Sequence, residues 1–291
     1  MTEPPTPVAC ACARAFHVTS QQQGTFLLKQ TSLLPLIVAF VGVGLAHVSH
    51  AAEQTGNESE LSLSLGAELT NRNLVGEASD KAKWSPTFGI NYQKGRFFAS
   101  TERGIGYNLL QEGGFHAGVA AGADPGRKDG DRKDSPRLVR MGKIDGTALA
   151  IVFAGYQGFD GLVKINATHL ASAKSEYGSQ TVISAALDVP LMGEKLSGSL
   201  SLSATHADRK YAQTYYGVTA AQAARSGNRV YNAKAGWITC DLSMALNYAI
   251  DKHWSTTASI GRHELRESAE LSPLFATKKS NVGAMSVSYR F

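Results

Sequence analysis

The chain has 291 residues, 43% of them hydrophobic and 18% charged, with a formal net charge of +5. That charge content is low for a soluble protein, although composition by itself leaves several classes open. The basic residues form neither a helix face nor a continuous run, so they read as solvated surface facing anionic lipid headgroups or acidic glycans, with no nucleic-acid partner.

The first informative segment runs from Lys29 to Ala52. A basic residue precedes the apolar run Leu33 to Ala46, and the small-residue site Ser49-His50-Ala51 follows. This is the plan of a secretory signal peptide, with the cleavage region at Ala51 and Ala52. The apolar run is shorter than the roughly 20 residues a membrane-spanning helix needs. The division is therefore residues 1–52, an N-terminal extension plus signal peptide, and residues 53–291, the functional body. A signal normally begins close to the initiator Met, so either translation starts after Met1 or the residues before Lys29 form a long n-region. Cys10 and Cys12 fall in this leader, and Cys240 has no second ligand nearby, so neither a metal site nor a cofactor is expected.

Beyond the signal no apolar run is long enough for a spanning helix, so any membrane crossing must be made of strands. Leu61, Leu63, Leu65, Ala67 and Leu69 alternate with Ser62, Ser64, Gly66, Glu68 and Thr70, the period of two that a strand imposes. Weaker alternation follows at Phe88 to Tyr92, Ile105 to Leu109, Phe115 to Ala121, Leu149 to Gly155, Val163 to Ala167 and Ile183 to Leu191. Leu196 to Thr205 repeats the first pattern with a small residue at every second place. From Trp237 to Ile250 one face holds Ile238, Cys240, Leu242, Met244, Leu246, Tyr248 and Ile250, while Thr239, Asp241, Ser243 and Asn247 hold the other. That run covers the roughly 9–11 residues a tilted strand needs to cross a bilayer. The 29 glycines and the weak signal per strand fit a transmembrane barrel, whose lumen face takes polar or small side chains.

Connections alternate in length. Gln93-Lys94-Gly95 and Asp251-Lys252-His253 read as tight periplasmic turns, while Gly122 to Asp145 and Asp208 to Asn232 read as long polar extracellular loops. The first loop is charge-dense and expected to be mobile; the second contains Thr219 to Arg225, whose alanines favour a short helix. The last strand places Met285, Val287, Tyr289 and Phe291 on one face, with Tyr289 and Phe291 serving as the aromatic signal for the barrel-assembly machinery. The expectation is an all-β protein: an antiparallel transmembrane β-barrel of about 12 strands, with 10 as the alternative. Its place is the outer membrane of a Gram-negative cell, in contact with lipid and lipopolysaccharide.

Catalytic signals are absent. No Gly-x-Ser-x-Gly elbow occurs, and no His sits near a Ser in a motif that would orient it. The segment Asp124 to Asp131 lacks the spacing and terminal Glu of a calcium loop. Glu102, Arg103 and Asp145 lie in or beside strands, where a basic group facing lipid at mid-bilayer would cost roughly 2–4 kcal/mol. They must face the lumen or a rim, as an ion pair that shapes the barrel or as a solute-selecting constriction.

Several segments in order, Gly95-Arg96-Phe97-Phe98, Gly104-Ile105-Gly106-Tyr107, Met141 to Gly146, Tyr215 to Thr219, Ser272-Pro273-Leu274 and the closing Val287 to Phe291, resemble the MipA/OmpV family of outer-membrane proteins. The resemblance implies a non-enzymatic barrel, and for the member that names the family a scaffold linking a lytic transglycosylase to a murein synthase. Other members are associated with osmotic adaptation, adhesion or antibiotic response. Where the family carries an aromatic Tyr-x-Gly-Ser segment before a Pro, this chain reads Asn71 to Ser79. The alternative to the scaffold is a small solute channel in which Glu102 and Arg103 set selectivity.

Overall fold

The computed structural model describes residues 59–72, 78–130 and 136–291. The signal segment, Ala51, Ala52 and the boundary at residue 52 lie outside them. The described residues form twelve strands: β1 Ser59–Arg72, β2 Ala78–Lys94, β3 Phe97–Ser100, β4 Gly104–Glu112, β5 Phe115–Asp124, β6 Thr147–Gly158, β7 Val163–Ser172, β8 Ser179–Met192, β9 Leu196–Ala207, β10 Gly236–Ala249, β11 Trp254–Leu265 and β12 Lys279–Arg290. Helices α1 Arg209–Tyr216 and α2 Ala220–Ser226 lie between β9 and β10, and α3 Glu267–Glu270 lies between β11 and β12.

Each strand pairs antiparallel with its sequence neighbours, and β1 pairs with β12 to close the barrel. Closure leaves no free sheet edge at the seam, which is what allows strands to exist in hydrocarbon. The register obeys the side-chain period. Leu65 of β1 stands between Phe88 of β2 and Val287 of β12, all on the outer surface. Ser64 beside it turns inward with Gly89 and Ser288. The outer band carries exposed Leu65, Phe88, Ile105, Val152, Ile165, Ile183, Met244, Leu246, Ile260 and Met285, a surface suited to lipid and not to water.

Short turns gather at the end that holds both strand termini of the seam. Gly113 and Gly114, with φ of 58° and 82°, make the β4–β5 turn in a backbone region closed to most other residues. Aromatic pairs ring this end: Phe115 with Tyr156 at 4.7 Å, Trp254 with Tyr289 at 4.8 Å and Tyr289 with Phe291 at 4.8 Å. They form the girdle expected at a membrane interface.

The opposite, extracellular end carries the long connections, and here the polar-loop reading gives way. Leu138, Met141, Ala212, Val218, Ala233, Ala269, Leu274 and Phe275 are buried together with Ala207, Ile238 and Leu265 from the ends of β9, β10 and β11. The described parts of these connections thus form a folded cap with a hydrophobic core of its own. The helix expected at Thr219 to Arg225 is α2, capped by reciprocal Thr219 and Gln222 hydrogen bonds. Ile238 leaves the outer face assigned to it because the register slips between Trp237 and Thr239, a bulge that turns its side chain into the cap.

Candidate functional site

Two features stand out inside the barrel: the lumen wall and the cap above it. Along β9, Ser197, Ser199, Ser201, Ser203 and Thr205 all point inward, opposite Asn247, Ala245, Ser243 and Asp241 of β10. Ser201 and Ser243 hydrogen-bond across the strands at 2.6 Å. On β11, β12 and β1 the inward row continues with Ser255, Thr257, Ser286, Ser288, Ser62 and Ser64. Hydroxyls satisfy themselves and water without bringing net charge, so this flank is mainly a hydroxyl-lined polar wall.

The other flank is apolar. Phe98 is fully buried and meets Phe153 edge-on at 5.7 Å, with Leu149 and Ile151 above them on β6. These rings and chains lie flat over Gly106, Gly118 and Gly122, where an added methyl would overlap them. Charge enters the lumen at several places, among them the inward positions Glu68 of β1, Lys83 of β2 and Arg290 of β12. Lys164 of β7 and Asp188 of β8 pair at 2.9 Å, and His263 of β11 bonds through Nδ1 to Asp241 of β10. His116 Nε2 and Asn166 Oδ1 are in hydrogen-bond contact at 2.8 Å.

Above the lumen, α1 reaches from the end of β9 towards β5. Its N-terminus is held by Asp208, whose carboxylate accepts from Tyr211 N at 2.7 Å and Ser179 N at 2.8 Å. Near its other end the Tyr215 hydroxyl donates to Asp124 of β5 at 2.7 Å. Burial, then the bond to Asp124, pushes the Tyr215 phenol well above its ordinary value, and burial does the same to Tyr211. Arg127 is also buried; it donates to the Tyr215 carbonyl at 3.1 Å, and loss of water lowers its pKa. Further ties join the connections to one another: Gln222 to the Met141 carbonyl at 3.1 Å, Arg137 to the Pro273 carbonyl at 2.8 Å and Ser272 to the Tyr216 carbonyl at 2.6 Å.

The residues singled out by sequence do not form one cluster. Glu102 and Arg103 occupy the β3–β4 turn, where Glu102 is exposed and the Arg103 guanidinium carbon lies 4.3 Å from the Phe98 ring centre on the lumen side. Asp145 sits in the cap instead, exposed and paired with Lys143 at 2.8 Å. That hydrogen bond holds the Asp145 carboxyl below its ordinary range. Tyr289 and Phe291 lie at the seam, with Phe291 N donating to the Leu61 carbonyl at 3.0 Å. The pairs Lys164–Asp188 and Tyr215–Asp124 escaped sequence reading. The first was signalled weakly, since Lys164 shares the polar face of β7 with Asn166 and Thr168.

A family model described as MltA-interacting protein MipA matches residues 63–291. A protein of Escherichia coli (strain K12), named YiaT and described as an outer membrane protein, is 26% identical over 235 residues, covering 80% of this chain and 92% of its own length. Among solved structures, an outer membrane channel from Pseudomonas putida F1 aligns with a TM-score of 0.41 at 10% identity, covering 80% of this chain and 95% of that one. The NanC porin aligns with a TM-score of 0.40 at 7% identity, covering 79% of this chain and 98% of the porin.

Proposed function

We propose, from the premise that this chain belongs to the MltA-interacting protein MipA family, that it is a non-enzymatic outer-membrane barrel docking murein enzymes at its periplasmic rim. The partners would be a lytic transglycosylase and a murein synthase. One observation carries the reading: the extracellular mouth is covered by a cap with its own buried core, while among the described residues the periplasmic end presents short turns and an aromatic girdle. A barrel built mainly for diffusion has little use for such a lid, whereas an anchor needs a rigid rim.

The test is capture of purified lytic transglycosylase by the full chain in nanodiscs. Saturable binding that falls when the turn residues Arg96, Glu194 and Lys252 are changed together is expected. No binding of either enzyme, in conditions where a known barrel partner is captured, overturns the reading.

A small solute channel is the second reading, favoured by the hydroxyl-lined flank and the Lys164–Asp188 pair. Planar-bilayer recording separates the two. Discrete openings whose ion preference shifts with Asp188→Asn or Glu102→Gln support the channel, and a silent bilayer supports the anchor.

A further inference from the structure

The barrel wall is not of even height. β2 has 17 residues, whereas β3 has 4 and is followed at once by the turn Thr101 to Arg103. Pairing between β2 and β3 stops at Asn91 and Ser100. Beyond it the Thr101 amide donates to the Ile90 carbonyl at 3.0 Å, and the Thr101 hydroxyl accepts from the Ile90 amide at 3.3 Å. From there β2 continues to Ala78 with β1 on one side and, among the described residues, no strand on the other. Because Ile90 turns its backbone groups toward β3, alternate residues Phe88, Pro86, Trp84 and Ala82 turn theirs toward the open side. Among the described residues no hydrogen bond reaches them there.

Such an edge invites a further strand unless water or polar headgroups reach its open amides. Pro86 stands in the middle of it and has no amide hydrogen to offer. Proline is confined to edge positions for this reason, and here it blunts the edge against strand addition. The next strand that rises past the turn is β5, three strand spacings away, on the order of 14 Å. The outer margins of the gap are apolar, with Trp84, Phe88 and Ile105 all exposed. Its sill faces the lumen as a buried ring, Phe98, with the Arg103 guanidinium laid over it.

We propose that this gap is a lateral port joining the outer leaflet to the lumen, and that it admits a single-chain anionic amphiphile whose headgroup is held by Arg103. The alkyl chain lies along Trp84, Phe88 and Ile105. The headgroup meets a guanidinium that is already oriented by the ring beneath it, an arrangement in which arginine binds carboxylate or sulfate through two parallel hydrogen bonds. Behind the sill, Phe153 and Ile151 continue the apolar flank, and the hydroxyl flank faces it across the lumen. The lumen is thus divided in the same sense as the ligand.

Electron spin resonance with doxyl-labelled stearate tests the port, using the full chain in nanodiscs of zwitterionic lipid at a pH where the label's carboxyl is ionised. An immobilised component displaced by oleate is expected, unaffected by an alcohol of the same chain length. It should fall severalfold in Arg103→Gln and persist in Arg103→Lys. Glu102→Trp, which fills the gap from the exposed turn tip, should reduce it as well. Heat-modifiable migration on gels identifies variants that fold, and Glu102→Trp carries the comparison if Arg103→Gln does not. An immobilised component of equal size in wild type and both folded variants would mean boundary-lipid contact only and would overturn the proposal, as would its absence from wild type.

Discussion

At the scale of single residues the cap depends on a few buried polar contacts, and the Tyr215 to Asp124 bond is the most exposed to test. A hydrogen bond to a charged acceptor is worth about 1.5–3 kcal/mol, so Tyr215→Phe should loosen the cap by that amount, read as faster proteolysis between α1 and α2. Alkali should act on the same contact. The folded-state pKa values of Tyr211 and Tyr215 are raised above the ordinary phenol value near 10, so between the two values the unfolded segment has lost protons that the folded one keeps. Stability is therefore fully present below about pH 10 and declines as pH rises above it. Cap proteolysis measured against pH should show this decline in wild type and a shallower one in the double Tyr→Phe variant. The Asp145 carboxyl runs the other way: its depressed value favours the folded form above the unfolded carboxylate pKa near 4, and that contribution disappears as pH falls through the folded value. Lying on the exposed cap surface, it should titrate below an ordinary Asp in a carbon-detected NMR experiment, and Lys143→Gln should bring it back.

At the scale of strands the seam between β1 and β12 is where sequence and structure can be weighed together. Trp254, Tyr289 and Phe291 meet edge-on in series beside it, each aromatic contact worth about 0.5–1.5 kcal/mol beyond its area. Replacing both Tyr289 and Phe291 by Ala should lower the fraction of heat-modifiable barrel after refolding, more than replacing the outward Met285, which has no ring partner. This strand was legible because apolar and polar residues alternate without a break. β11 was not, since its outward row includes Thr256, Arg262 and Glu264 and its inward row is Ser, Thr, Gly and His, leaving little contrast between faces. β3 is too short to show a period at all. The long run from Trp237 revealed the strand but not the bulge that redirects Ile238, because a one-residue slip is set by what the cap must bury and not by the strand's own pattern. For the same reason the cap itself was hidden. Its apolar residues are scattered through connections read as polar, and the one signal was the clustering of Tyr211, Tyr216 and Tyr231, which pack against the buried core.

At the scale of the whole molecule, a barrel of twelve strands with small hydroxylated side chains on much of its inner wall has room for water, unlike eight-stranded barrels whose side chains fill the interior. Whether water connects the two sides then depends on the cap, whose core is built on the ends of β9, β10 and β11. Truncating one of its buried residues, such as Leu274→Ala, should cost about 2–5 kcal/mol, and the lower end of that range already multiplies the open population by roughly thirty. The anchor reading therefore expects wild type to be silent in a planar bilayer, with Leu274→Ala showing brief openings and replacement of Arg209 to Ser226 by a short Gly-Ser link showing sustained ones. Met244→Ala, on the outer face of β10, should leave the record unchanged. Frequent openings in wild type would mean that the cap is a gate in regular use, and the channel would then displace the anchor as the better account of the lumen.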